Sequence, residues 1–301
     1  MSKHAYLIIA NRNFEQLAQL VKVLDDERND IYIQIDRTSR EHRVAIETKK
    51  SVLKILDEIP IYWGDYSQIQ AELNLFSAAA VQHYDFYHLM SGLDLPLANQ
   101  DEIHDFFSQH YGQQFVTFSA QQTDVQLRVR MMPHTFRHHF REQSDGFLSL
   151  IARLYRRMEN KALSITAAAK TSVDKIEYGS NWVSLSDDFV QCMVNPDNLK
   201  RIRSKFSKGY LVDELLVPFE LNDLGFRDTV YYSQPVNDLP REFQGNLRYI
   251  NWWDGKPYTW REKDFDTLIR AKRMGHLFSR KFDENIDADI VQSVVQLSLN
   301  K

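Results

Sequence analysis

The chain opens on an uninterrupted apolar run, Ala5-Tyr6-Leu7-Ile8-Ile9-Ala10. A strand with one wet face alternates in polarity; a run with no polar residue fits a strand covered on both faces, the usual situation in a parallel sheet. Asn11-Arg12-Asn13 breaks the run, and Phe14, Leu17, Leu20, Val21 and Leu24 then fall on one side of a helix. Ile31, Ile33 and Ile35 alternate with Tyr32 and Gln34 in a second strand that ends on Asp36. A third strand is expected around Ile59 to Tyr62, closing on Trp63-Gly64, with a helix from Asp65 to about Val81 behind it. Tyr87-His88-Leu89-Met90 makes a fourth, leading into Ser91-Gly92-Leu93-Asp94-Leu95-Pro96. This strand–helix alternation predicts an α/β fold, a Rossmann-type mixed open sheet with helices on both faces. Ligands of such sheets sit beyond the carboxyl ends of the strands, so Asn11, Asp36, Trp63 and Ser91 to Asp94 should line one edge.

The texture changes between Gln126 and Ala162. Arg128, Arg130, Arg137, Arg141, Arg153, Arg156, Arg157 and Lys161 face only Glu142, Asp145 and Glu159, and Phe147 to Leu163 carries an amphipathic helix pattern. Two readings stay open: a solvated basic face, or a contact surface for an anionic membrane or a phosphate-bearing acceptor. Beyond it come a short strand at Asn181 to Leu185, a helix at Asp187 to Val194, and Asp213-Glu214 opening an apolar helix. A strand over Leu247 to Trp253 and a helix over Asp264 to Met274 follow. No proline- or glycine-rich linker divides the chain, so one domain over residues 1–301 is the economical organisation.

Several chemistries are excluded by spacing. The ten glycines never stand closer than ten residues apart, so neither G-x-G-x-x-G nor a Walker loop exists, nor a G-x-S-x-G nucleophile elbow. A single cysteine, Cys192, rules out an internal disulfide or a multi-cysteine metal site, and its apolar neighbours predict an inert core thiol. His134, His138 and His139 lie in an arginine-rich stretch that repels a cation and read as polar surface. Asp264-Phe265-Asp266 and Asp287-Ala288-Asp289 have the form of a metal-binding triplet, but neither follows a strand of the amino-terminal half. A net charge of −4 offers no global argument for nucleic acid. No secretory core or membrane-length apolar run is visible, which predicts a cytoplasmic protein.

Eight short stretches, in order along the chain, carry a resemblance. They are Ala5–Arg12, Tyr32–Ser39, Ile61–Leu73, Tyr84–Pro96, Gly179–Trp182, Val212–Leu215, Leu247–Trp252 and Phe278–Phe282. Together they resemble the Core-2/I-branching N-acetylglucosaminyltransferase and peptide O-xylosyltransferase family, metal-independent inverting glycosyltransferases of the GT-A fold. The resemblance implies that Glu214 is the catalytic base and that Arg248 and Lys281 grip the donor diphosphate, with Arg280 the alternative cation. It places Ala10, Asn11, Asp36, Trp63 and Gly64 on the nucleotide side, and Ser91, Asp94, Asn181, Trp182 and Trp252 at donor or acceptor sugars. Residues 1–125 would form the nucleotide-binding half, 126–170 a basic helical insert and 171–301 the acceptor and catalytic half.

The activity so implied moves a sugar, GlcNAc, Xyl or another hexose, from a UDP-sugar to a glycan or lipid-linked acceptor by single displacement. The UDP-sugar is a co-substrate and no cofactor or metal is expected, because cationic side chains can neutralise a departing diphosphate. The basic insert would dock the enzyme peripherally on the inner membrane face. The rival reading is a non-catalytic glycan- or nucleotide-binding protein that keeps the fold.

Overall fold

In a computed structural model of the chain, residues 3–135, 147–169, 176–255 and 257–300 are described. The amino-terminal part alternates as the apolar pattern demands: β1 (His4–Ala10), α1 (Phe14–Leu24), β2 (Asn29–Ile35), β3 (Val52–Ile55), α2 (Tyr66–Ala80), β4 (Phe86–Ser91) and β5 (Asp94–Pro96). Then come α3 (Gln100–Ser108), α4 (Asp124–Met131), α5 (Phe147–Ala169), β6 (Ser184–Ser186), α6 (Asp187–Met193), α7 (Pro196–Phe206) and α8 (Asp213–Asp223). The chain continues through β7 (Arg248–Ile250), α9 (Phe265–Arg273), β8 (Phe278–Arg280) and α10 (Ala288–Leu299).

The strands form two sheets. Five make the order β3-β2-β1-β4-β6, parallel except for β6, which runs antiparallel to β4. Three make β5-β8-β7, with β8 antiparallel to β5 and parallel to β7. Successive residues of a strand point to opposite faces, and β1 shows the result. Tyr6, Ile8 and Ala10 join the core beneath α1, α9 and α10, while Ala5 and Leu7 join the core beneath α2, α6, α7 and α8. The expected mixed α/β sheet with helices on both faces is therefore present.

Two expectations need correction. The third strand lies at Val52–Ile55, not Ile59 to Tyr62; Ile59 meets Asp36 only through an isolated bridge. Pro60 has no N–H to give a ladder. The true edge strand leaves Val52 61% and Ile55 49% exposed, so it has no buried face to mark it in the sequence. Cys192 is exposed, on the outer side of α6, and not in the core.

Candidate active site

The carboxyl ends of β1, β2 and β4 gather the expected edge. The Asp36 N–H donates to the Ala10 carbonyl at 2.9 Å, tying the ends of β1 and β2 together, and Asn11 stands exposed just beyond. Asp36 Oδ1 accepts from the N–H groups of Thr38 (2.9 Å) and Ile61 (3.0 Å), so this carboxylate shapes the loop that leads to Trp63. Trp63 is 73% exposed, edge-on to Tyr210. Gly64 is obligatory in this loop: its φ is +71°, and a Cβ would stand 2.6 Å from the Tyr210 ring. Asp65 then caps α2 by accepting from Ser67 N–H at 2.8 Å.

A compact ionic group closes the same edge. Asp94 is almost wholly buried and accepts from Ser91 Oγ and from Arg280 Nη1, each at 2.8 Å. Ser91 and Asp94 therefore position a cation. The Arg280 guanidinium in turn lies 4.5 Å from the centre of the Trp182 ring. Lys281 beside it is half-buried, and among the described residues it forms no ion pair; Arg12, paired with Asp283 at 3.3 Å, is the third cation. Burial first, then the charges of Arg12 and Arg280, pull the Lys281 ammonium below its ordinary range, against the opposing charge of Asp283. Crowded cations with one lacking a counter-ion make a place for an anion.

Arg248 does not join them. It is 1% exposed, and its guanidinium donates to the carbonyls of Asn246 (2.6 Å), Val183 (2.7 Å) and Leu89 (3.1 Å) and to Ser184 Oγ (3.2 Å). The expectation that Arg248 grips a diphosphate is corrected on that ground, because every one of these contacts lies in the interior between the two sheets. Its place at the edge belongs to Arg280. Trp252 is 37% exposed after β7, and no described contact links it to the other site residues.

The acid end of the site forms where α8 begins. Glu214 is in the first turn, a quarter exposed, and accepts from Arg130 Nη1 at 2.8 Å. Arg130 also holds the Leu211 carbonyl at 3.1 Å, and its guanidinium lies 4.8 Å from the centre of the Tyr178 ring. Burial, reinforced by the Glu214 charge, pushes the Tyr178 phenol up. Asp213, the preceding residue, is buried; Gln68 Nε2 reaches its Oδ2 at 3.3 Å, while Oδ1 has no partner. Desolvation, with help from Glu214, raises the Asp213 carboxyl to about 7. Glu72 is raised for the same reason, with Asp213 second, and Asn181 donates to it at 3.2 Å.

One short segment joins the two ends. Tyr178 lies against Arg130, which holds Glu214, while Asn181 touches Glu72 and Trp182 stacks beneath Arg280. Tyr178 and Trp182 are four residues apart, at most about 14 Å of extended chain. Gly179 allows this placement: its N–H donates to the Glu214 carbonyl at 3.1 Å, and a Cβ there would meet the Thr117 carbonyl oxygen at 2.3 Å.

Arg130, Tyr178, Gln68 and Glu72 were not singled out as site residues from sequence. Arg130 had a signal, as a member of the basic stretch, but nothing in that stretch distinguished it from its exposed neighbours. His138, His139, Arg137 and Arg141 lie outside the described residues, while His134 is buried with Nε2 at 2.8 Å from the Val129 carbonyl. Asp264 and Asp287 serve structure: Asp264 accepts from the Tyr258 hydroxyl at 2.8 Å, and Asp287 caps α10. Among the described residues no group of three His, Cys, Asp or Glu side chains stands together as metal ligands, and no helix is long and apolar enough to cross a membrane.

Comparisons with known proteins bear on this geometry. A curated xylosyltransferase of Ciona intestinalis is 22% identical over an alignment of 308 positions that covers 95% of this chain and 32% of the relative. The xylosyltransferase oxt of Drosophila melanogaster is 23% identical over 311 positions, with the same two shares. The chain thus spans about a third of the length of these relatives. The apo crystal structure of mouse xyloside xylosyltransferase 1 aligns over 93% of this chain and 97% of its own at 12% identity, with a TM-score of 0.37. The profile of the Core-2/I-Branching enzyme matches residues 4–271. The chain therefore belongs to the Core-2/I-branching enzyme family, a family of glycosyltransferases.

Proposed function

We propose that the protein transfers a sugar from a UDP-sugar to a hydroxyl of a glycan or lipid-linked acceptor in one displacement with inversion, using no metal. In this reading Glu214 is the base. The acceptor oxygen attacks the anomeric carbon, its proton passes to the Glu214 carboxylate, and the bond from that carbon to the diphosphate oxygen breaks with its electron pair leaving on UDP. Arg130 holds the carboxylate in place. Arg280 and Lys281, aided by Arg12, balance the charge that grows on the diphosphate. Ala10, Asn11, Asp36, Trp63 and Gly64 form the nucleotide side, and Asn181 and Trp182 lie between the base and the cations, where the transferred sugar belongs.

The observation that carries this reading is a half-buried lysine without an ion-pair partner among the described residues, beside Arg280 and one short segment away from an anchored, partly exposed glutamate. The test is donor turnover and UDP affinity in wild type and Glu214→Gln. Glu214→Gln is expected to lower kcat by about 10²–10⁴-fold with UDP affinity unchanged, and excess chelator to leave wild-type turnover unchanged. Wild-type turnover in Glu214→Gln removes that residue from the mechanism, and dependence on a divalent cation defeats the metal-free reading. UDP binding without turnover of any UDP-sugar favours the rival, a binding protein that keeps the fold.

The second half of the proposal concerns place. The α5 helix leaves Leu154 60%, Met158 66% and Ile165 67% exposed, with Arg153, Arg157 and Lys161 exposed beside them. An apolar stripe rimmed by cations suits the surface of an anionic membrane, which would set the enzyme peripherally on the cytoplasmic face. Sedimentation with vesicles containing phosphatidylserine should fall sharply for Leu154→Ser/Met158→Ser; equal binding to neutral vesicles overturns this part.

A further inference from the structure

The three-stranded sheet has a second face. Register puts Arg248 with Phe278 and Ile250 with Arg280 on one side, and Tyr249 on the other. On Tyr249's side lies a cavity of about 880 Å³, within the range of small-ligand sites. Its floor is aromatic: Tyr249 stacks on Trp260 at 5.6 Å and 10°, and Trp253 approaches Tyr249 at 5.6 Å. Tyr249 and Trp260 are almost wholly buried, whereas Trp253 is only partly buried and lines the cavity.

The polar rim is unequal in a way that selects a ligand. Its two acids are already engaged, Asp264 by the Tyr258 hydroxyl and the Arg261 N–H, and Asp254 by Asn251. Its three arginines, Arg241, Arg270 and Arg273, make no ion pair with any described residue; Arg270 is steadied by Thr267 at 2.7 Å. Guanidinium groups read planar oxyanions in pairs of hydrogen bonds, and an aromatic ring beside them accepts the apolar face of a sugar. The wall is also joined to the candidate active site. Trp260 Nε1 donates to the Arg280 carbonyl and the Trp260 N–H to the Lys281 carbonyl, both at 2.9 Å.

We propose that this cavity is a second carbohydrate site, which binds an acidic oligosaccharide bearing carboxylate or sulfate groups and so holds a distal part of the acceptor. The choice of a saccharide rests on the glycan-acceptor reading above; the site itself rests on the cavity.

The test is binding without donor. Hyaluronan tetrasaccharide, which carries carboxylates, and chitotetraose, which is neutral, are titrated into the purified chain by calorimetry and tryptophan fluorescence. The hyaluronan fragment should bind about tenfold more tightly than chitotetraose. Arg270→Ala/Arg273→Ala and, separately, Trp253→Ala should each weaken it about tenfold or more, with UDP affinity intact as the check that the variants fold. No binding of the acidic fragment, equal binding of the neutral one, or binding indifferent to both variants overturns the site. Glu214→Gln should bind the fragment as wild type does. A wild-type chain that binds the fragment but turns over no UDP-sugar counts against the catalytic reading alone, and a wild-type chain that turns over a UDP-sugar but does not bind the fragment counts against this site alone.

Discussion

Adjacent parallel strands carry arginines with opposite fates. Arg248, on β7, lies in the interior, where three carbonyls and a hydroxyl take up its donors and desolvation draws its pKa down to about 10. The Ser184 hydroxyl it touches continues to His88, and His88 to His4 at 3.1 Å, a neutral polar chain through the middle of the fold. Arg280, at the end of β8, has a carboxylate partner and an aromatic neighbour, and next along the chain is a lysine with no ion pair among the described residues. Residue type does not separate the two; distance from the strand end does. A cation in the interior satisfies backbone oxygens that the sheets leave over, and one at the strand end is available to a ligand.

The sharpest way to break this contrast is Arg248→Met. It leaves several buried acceptors without donors, each at a cost of about 1–3 kcal/mol. The urea midpoint should fall accordingly. A variant as stable as wild type that had lost only UDP binding would return Arg248 to the site. Lys281→Ala should behave in the opposite manner. Removing a group that stabilises a leaving charge costs about 10²–10³ in kcat, whereas a change at a half-buried residue with no ion pair should move stability by less than about 0.5 kcal/mol. Wild-type turnover in Lys281→Ala would place the diphosphate elsewhere.

The same contrast explains what the sequence could tell. Apolar runs buried on two faces, such as Ala5 to Ala10, and amphipathic spacing, as in Phe14 to Leu24, are local signals, and the elements they predict are present. β3 was missed because it is an exposed edge, and its pairing is decided by contact with β2. The edge residues Asn11 and Asp36 were legible because strand ends are readable from where apolar runs stop; Trp63 follows no strand end and reaches the edge on the loop that Asp36 shapes. Whether Arg248 or Arg280 reaches the open edge depends on how far along the three-stranded sheet each stands, Arg248 at the start of β7 and Arg280 at the end of β8, and that sheet joins residues 94, 248 and 278 from distant parts of the chain. Arg130 was illegible as an anchor of Glu214 for the same reason: 84 residues separate the two.

Acids at the start of α8 repeat the contrast within two residues. Glu214 is partly exposed and held by Arg130, while Asp213 is buried with one oxygen unpartnered. Burial, then the Glu214 charge, raises the Asp213 carboxyl to about 7, against about 4 in an unfolded chain. Between those values the folded state binds the extra proton, so this residue makes stability fall as pH rises from about 4 to 7. His4, His88 and His104 act in the other direction: burial lowers each of them, so their contribution is lost as pH falls below about 6.5. Comparing Asp213→Asn with wild type cancels the histidines, which both proteins share. The amide carries no charge at any pH, so Asp213→Asn should gain on wild type between pH 5 and pH 8, by on the order of 1–2 kcal/mol in unfolding free energy. Urea titrations of both proteins at the two pH values measure that difference directly. Parallel stability curves would mean that Asp213 is ionised across the range, and that burial beside α2 does not separate it from Glu214.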